Sequence, residues 1–295
     1  MGSLGMNLFL QNPAPRPRIP EQVLQGWAAA GANKTAQATH ESIRKVIASI
    51  PFAADMKPTI YLQGSYRNDT NIRGDSDVDI VIEFPFKKSL MLVRSNYEAE
   101  QWWGYRAAVV KALVQHYGAA NVSVEKKCIK LKRTSWSLSA DIVIAFPYCK
   151  TTQFPGIDQI YYTYGIRFYV VDEGRWVINY PKQHYENGTA KNSPQRTNGW
   201  YKHLVRIFKN AGGSINLDAP SYFVECLIYN APDRLFGKSY QDSFDNILDY
   251  LATTQIGTFK CQNHVLQLFG NTQEQWSVNE AHDYIRELLR LRSCY

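Results

Sequence analysis

The sequence has no cysteine pair at a metal-binding or redox spacing. Its five cysteines, Cys128, Cys149, Cys226, Cys261 and Cys294, are odd in number and widely spread, with no CxxC. This excludes a disulfide scaffold and a zinc ribbon and fits a reducing compartment. No run of about 18 apolar residues occurs, so no membrane span is expected. The first 18 residues lack the charged-then-apolar design of a signal peptide, and the N-terminus has no Ser or Thr where a myristoylation site needs one. A cytoplasmic protein is the default. Met6 offers a second start, which would make residues 1–5 an added leader. Internal repeats, low-complexity tracts and coiled-coil heptads are also missing, so a monomer is expected.

What is present describes an ordinary globular chain. It has 295 residues, 45% hydrophobic and 20% charged, a composition that excludes a disordered or collagen-like polymer. The length permits one large domain or two lobes. Lys and Arg number 33 against 26 Asp and Glu, a net charge of +7. A basic balance favours anionic partners such as nucleotides or nucleic acid.

Along the chain, Pro13, Pro15, Pro17 and Pro20 make an extended lead-in. Helical spacing runs from Glu21 to about Ile50, interrupted near Gly31, and again from Glu98 to Tyr117. Thr59–Leu62, Val78–Phe84, Val122–Val124, Cys128–Lys132 and Ser139–Phe146 read as strands, with Tyr161–Tyr164 and Phe168–Val171 as two more. Pro181–Thr197 is rich in Asn, Gly, Lys and Pro and reads as a loop. From Trp200 helical periodicity dominates. The pattern is an α/β front half and a helical back half, with the boundary near residue 185.

The informative stretch is QGSYRNDTNIRGDSDVDIVIE, Gln63 to Glu83. Gly64-Ser65 ends a strand and opens a helix, leaving N–H groups and a hydroxyl free for phosphate. Asp77 and Asp79 lead into a strand and, two residues apart, point to one face. Two carboxylates so placed suit a hard divalent cation such as Mg²⁺. Asp141 is the third candidate, because Ala140–Ile144 echoes Val78–Ile82. If the two strands are neighbours, three acids meet at one strand end. The bland alternative is Asx turns and strand caps.

These residues resemble the nucleotidyltransferase superfamily of DNA polymerase β, whose motif is Gly-Ser, a spacer and Asp-x-Asp. Within it, GSYRNDTNIRGDSDVDIVI is similar to the bacterial CD-NTases, relatives of cyclic GMP–AMP synthase and oligoadenylate synthase. The segments Pro181–Asn210 and Pro220–Pro232 are similar to that family's second half. The resemblance implies an α/β (α+β) nucleotidyltransferase core with a mixed sheet over residues 21–185, including a long N-terminal helix. It also implies a helical lobe over 186–295, a lead-in over 1–20, and an active site in the cleft between the lobes. It implies Mg²⁺-dependent synthesis of a cyclic di- or trinucleotide from nucleoside triphosphates, ATP, UTP or others, with release of pyrophosphate. Such products act in antiphage signalling, where a downstream effector binds the product rather than the enzyme.

By the same resemblance Asp77, Asp79 and Asp141 bind two Mg²⁺, with Mn²⁺ as a substitute. Gly64 and Ser65 hold the donor triphosphate, Gln63 is a nucleotide-binding residue where the family often carries a polar side chain before Gly-Ser, Lys202 and Ser221 grip the outer phosphates, and Tyr222 lies near the donor base. Asn179 falls where relatives sense the base; an amide can read a uracil edge, which points to a uridine-containing product, and a turn asparagine is the plainer reading.

Lys126, Lys127, Lys130, Lys132 and Arg133 form a basic cluster that reads as a nucleic-acid patch or a solvated hairpin face. Nucleic acid is not expected to be obligatory. His184 and His203 read as packing histidines, Tyr161, Tyr162, Tyr164 and Tyr169 as core or rim aromatics, and Arg67, Arg73 and Lys191 as solvated or phosphate-contacting cations. The competing functions are a template-independent CCA- or poly(A)-adding enzyme and a non-catalytic nucleotide sensor.

Overall fold

Two strands with nearly continuous apolar sequence, VDIVIE and the start of ADIVIAF, need cover on both faces, and that requirement organises the front half. The computed structural model describes residues 17–31, 34–72, 77–85, 95–135, 137–153, 160–217 and 219–295. The strands are β1 (Thr59–Leu62), β2 (Val78–Glu83), β3 (Val122–Val124), β4 (Ile129–Leu131), β5 (Ala140–Gln153), β6 (Ile160–Val170) and β7 (Arg175–Asn179). Five of them run in the order β1-β2-β5-β4-β3, and β6 joins the second half of β5 to β7. β2 and β5 are parallel, with Asp79 directly opposite Asp141. β5 serves twice: Ala140–Ala145 pairs with β2, and Phe146–Gln153 pairs antiparallel with β6.

The described helices are α1 (Glu21–Ala28), α2 (Lys34–Ala48), α3 (Pro51–Met56), α4 (Gly64–Asn68), α5 (Ser95–Tyr117), α6 (Pro181–Lys191), α7 (Trp200–Ser214), α8 (Ser221–Tyr229), α9 (Tyr240–Thr253) and α10 (Val278–Ser293). One core packs α2 and α5 on the sheet around Ile43, Ile80, Trp102, Leu113 and Ile142. The Trp102 indole donates to the Ile144 carbonyl at 2.8 Å, so a buried polar handle finds a partner. A second core belongs to the helical half: Leu24, Leu204, Phe208, Leu227, Phe244 and Leu288. α10 is held at its start by a Ser277–Glu280 capping box. No described helix is long and apolar enough to cross a membrane.

Several expectations are refined. The N-terminal helical stretch is two helices, α1 and α2, divided near Gly31 as expected, and α1 packs into the helical core while α2 covers the sheet. Tyr161–Tyr164 and Phe168–Val170 are parts of one strand, β6, which ends a residue before the expected Val171. The expected loop at Pro181–Thr197 begins as α6, with Pro181 in its first turn, where a proline is preorganised. Only His184, Gly188 and Lys191 of that helix are buried, so it carries no apolar stripe to read. Three members of the basic cluster, on the β3–β4 hairpin, pair with acids: Lys126 with Asp172 at 2.8 Å, Lys127 with Glu274 at 3.3 Å, and Lys130 with Asp77 at 3.2 Å, while Lys132 and Arg133 are exposed. Pro13, Pro15, Arg73 and Gly74 lie outside the described residues.

Candidate active site

Asp79 stands on β2 and Asp141 beside it on β5, with Asp77 just ahead of β2. Strand alternation turns Asp77 and Asp79 to one face, and the parallel register adds Asp141 to it. The carboxyls repel, and burial makes the repulsion costly. Burial, followed by the charges of Asp141 and Asp77, pushes Asp79 up to about 7, against a smaller opposing pull from Lys209. Asp141 is also raised, first by burial, with Lys130 opposing. Its Oδ1 is buried without a hydrogen-bond partner. The ammonium of Lys130 lies 3.2 Å from Asp77 and 3.8 Å from Asp141, a cation between two of the three acids. Among the described residues, no three His, Cys, Asp or Glu side chains are gathered tightly enough to enclose a metal as they stand.

Gly64 adjoins the triad. Its φ is +64°, in the left-handed region, and a Cβ there would run into the Asp79 carboxylate. Only glycine lets the chain turn this close to the acid. The Gln63 N–H donates to the Asp79 carbonyl at 2.8 Å and fixes the turn against β2. Gln63 Oε1 is buried without a partner. Gln63, Gly64, Ser65, Asp77, Asp79, Asn179, Ser221 and Tyr222 all line one cavity of about 850 Å³. Asp141 and Lys202 are not among its lining residues. Lys202 sits at its flank on α7, paired with Asp69 at 2.9 Å. Tyr222 stacks on His184 with ring centroids 5.0 Å apart, and Asn263 donates to its hydroxyl at 3.2 Å.

Sequence reasoning missed the network that ties the helical half to this turn. Lys202, Arg206 and Lys209 form a stripe at i, i+4, i+7 along α7. They reach Asp69 Oδ2, the Asp69 carbonyl and the Thr70 carbonyl respectively. On α8, buried Glu225 accepts from Asn68 Nδ2 at 2.9 Å, from Thr70 Oγ1, and pairs with His184 Nε2 at 2.7 Å. Burial alone would raise the Glu225 carboxyl; the His184 hydrogen bond and charge, Lys209 and Thr70 outweigh it and hold the carboxyl below its ordinary value. The basic spacing on an otherwise apolar face was the available signal. His184 is thus a buried partner of Glu225, and His203 bonds to the Tyr240 hydroxyl at 2.8 Å. Lys191 is buried on the Ala231 carbonyl and Asp233, away from the cavity. Arg67 lies 4.1 Å over the Tyr185 ring and lines the cavity. Tyr161, Tyr162 and Tyr164 are exposed, and Tyr169 packs against the sheet core.

Comparison with known proteins matches residues 43–149 to the nucleotidyltransferase domain and residues 186–292 to the cGAS/DncV-like nucleotidyltransferase C-terminal helical domain. The cyclic UMP-AMP synthase of Rhodothermus marinus (strain SG0.5JP17-172) is 42% identical over 91% of this chain and 96% of its own. The cyclic nucleotide synthase CdnE01 of Staphylococcus haemolyticus is 36% identical over 92% of this chain and 97% of its own. The solved structure of the Rhodothermus marinus CdnE c-UMP-AMP synthase with Apcpp and Upnpp superposes with a TM-score of 0.82 at 40% identity, covering 94% of this chain and 97% of that one. Identity of this extent runs through both the sheet and the helical half, and the chain belongs to the cGAS/DncV-like nucleotidyltransferases, the bacterial CD-NTases.

Proposed function

We propose that this protein joins nucleoside triphosphates into a cyclic di- or trinucleotide and releases pyrophosphate. The observation that carries the reading is the placement of Asp79, opposite Asp141 in the parallel register, against the Gly64 turn at the wall of a cavity of about 850 Å³. The names of the relatives support it, one as a cyclic UMP-AMP synthase and one as a cyclic nucleotide synthase.

The donor set fits hard divalent cations. Three carboxylates supply oxygen ligands, Asp141 Oδ1 is buried with no hydrogen-bond partner, and a lysine ammonium already lies between Asp77 and Asp141. Asp77, Asp79 and Asp141 would hold two Mg²⁺, or Mn²⁺ in their place. When bound, such ions neutralise triphosphate charge and favour ionisation of the attacking hydroxyl. The chain's own residues position the reactants. Gly64 lets the triphosphate approach the backbone, and Ser65 adds a hydroxyl. Lys202 contributes a compact positive charge and Ser221 a second hydroxyl for the outer phosphates. Tyr222, braced by His184, offers a ring face to the donor base, worth about 1–3 kcal/mol. A ribose hydroxyl of one nucleotide attacks the α-phosphorus of the next, loses its proton, and expels pyrophosphate. A second round on the linear product closes the ring. Asn179 at the end of β7 reads a uracil edge with one donor and one acceptor.

The setting we propose is cytoplasmic antiphage signalling by a monomer whose product, rather than the protein, meets the effector. Incubation with all four triphosphates and Mg²⁺, followed by mass spectrometry, tests the synthase reading. A cyclic product lost in both Asp77→Ala and Asp79→Ala is expected. A product that forms only on added RNA would make the protein a tailing enzyme instead. A product without uridine would remove the role given to Asn179.

A further inference from the structure

The nucleotidyltransferase reading leaves two residues that line the cavity, Tyr61 and Glu83, without an assigned task. Asp79, Val81 and Glu83 alternate onto one face of β2. Glu83 lies four residues beyond Asp79, roughly 13 Å along the strand at the usual rise. That is comparable to the reach of a nucleotide from its α-phosphorus to the edge of its base. Tyr61 is the β1 partner of Val81, so its side chain shares that face, and its hydroxyl donates to Glu83 Oε2 at 3.1 Å. Asn179 is the β7 partner of Ile166, and Ile166 packs in one cluster with Val81. Tyr61, Glu83 and Asn179 all line the cavity.

A carboxylate at the end of an apolar strand is expensive to desolvate, and burial does raise the Glu83 carboxyl. Tyr61 supplies a side-chain hydrogen bond to the Glu83 carboxylate. It fixes the orientation of the carboxylate and leaves most of its acceptor capacity facing the cavity. An ionised carboxylate only accepts. It complements a base that carries an exocyclic amino group, and it opposes uracil, whose pairing edge has a carbonyl oxygen on either side of its one N–H.

We propose that Glu83, oriented by Tyr61, is a specificity-determining residue that accepts a hydrogen bond from the exocyclic amino group of one bound nucleotide and so disfavours uridine at that position. This rests on the nucleotidyltransferase reading and extends it. The Asn179 amide and the Glu83 carboxylate ask for different base edges, which suits a product built from two different nucleotides.

Calorimetry of ATP, CTP and UTP binding to the full chain tests this directly, with product composition as a second readout. The variants are Glu83→Gln and Tyr61→Phe. Loss of a hydrogen bond to a charged acceptor is expected to cut the preference for ATP or CTP over UTP by about tenfold in Glu83→Gln. Tyr61→Phe should shift the ratio the same way by less, and uridine should rise in the product of both. Unchanged affinity ratios in both variants overturn the proposal; if Glu83→Gln fails to show a cooperative melt, the ratio in Tyr61→Phe decides alone. A wild-type protein that makes no cyclic product while the ratios still fall in the variants would sink the synthase reading and leave the Glu83 assignment standing.

Discussion

A single methyl group separates a working turn from a broken one at Gly64. The position combines a φ of +64° with direct approach to the Asp79 carboxylate. A side chain there meets two penalties at once. The left-handed backbone costs about 1–2 kcal/mol for an L-residue, and the Cβ must displace the carboxylate or the turn. Gly64→Ala is therefore expected to lower stability by at least about 1 kcal/mol and turnover by on the order of 100-fold, since misplacing a reacting group by a small distance costs that much. Urea melts and initial rates of pyrophosphate release check the two effects separately. Full activity in a stable Gly64→Ala protein would mean that the turn does not hold the triphosphate. This residue was legible in the sequence, because Gly-Ser between a strand and an acid pair has few structural explanations. Lys130 was not: five basic residues in a short segment look alike until the fold pairs Lys126, Lys127 and Lys130 with different acids.

At the scale of elements, the short helix α4 is the junction between the two halves, held chiefly by side chains of α7 and α8. Lys202, Arg206 and Lys209 bind Asp69 and the carbonyls at its end, and Glu225 takes the donors of Asn68, Thr70 and His184. Glu225 is only 3% exposed, so its charge is viable only while those donors stay in place. Glu225→Gln leaves them facing a neutral amide and is expected to cost about 3 kcal/mol at neutral pH, the low end for unmatching a buried pair. The pH dependence has a definite sign. The folded Glu225 carboxyl lies below its unfolded value. Its contribution is therefore complete above the unfolded carboxyl value near about 4.3 and is lost as pH falls through the lower, folded one. The difference in melting temperature between wild type and Glu225→Gln should be large at pH 7 and shrink in acid below about pH 4; a gap that stays constant with pH would show that Glu225 acts through shape alone. Strands β2 and β5 could be read in advance because continuous apolar runs have one main meaning in an α/β chain. Helix α6 could not, since three buried residues on an otherwise polar helix leave no periodic signal. The network around Glu225 was also hidden, because it joins residues 68 to 225 that only the closed fold brings together.

Over the whole molecule, two hydrophobic cores flank a cleft whose floor is acidic although the chain carries a net charge of +7. The surplus of positive charge suits polyphosphate substrates approaching from a distance, while the floor opposes them at contact. The same floor makes the metal-free fold pay for three crowded carboxyls, with Asp79 the most affected. Ligand that binds the folded form adds stability in proportion to the logarithm of its concentration over its dissociation constant. At pH 8 and saturating Mg²⁺, the wild-type melting temperature is expected to exceed that in chelator by about 5 °C for a chain of this size. Asp79→Asn removes one of the repelling charges and one of the ligands together. It should melt higher than wild type in chelator and respond little to Mg²⁺. The two results have different meanings, so both are needed. Equal Mg²⁺ responses in the two proteins would place the metal elsewhere, and an Asp79→Asn protein less stable than wild type in chelator would show that Asp79 is held by attraction, not strained by its neighbours. Differential scanning fluorimetry of the two proteins, with and without the metal, decides between a floor poised for cations and one already satisfied by Lys130.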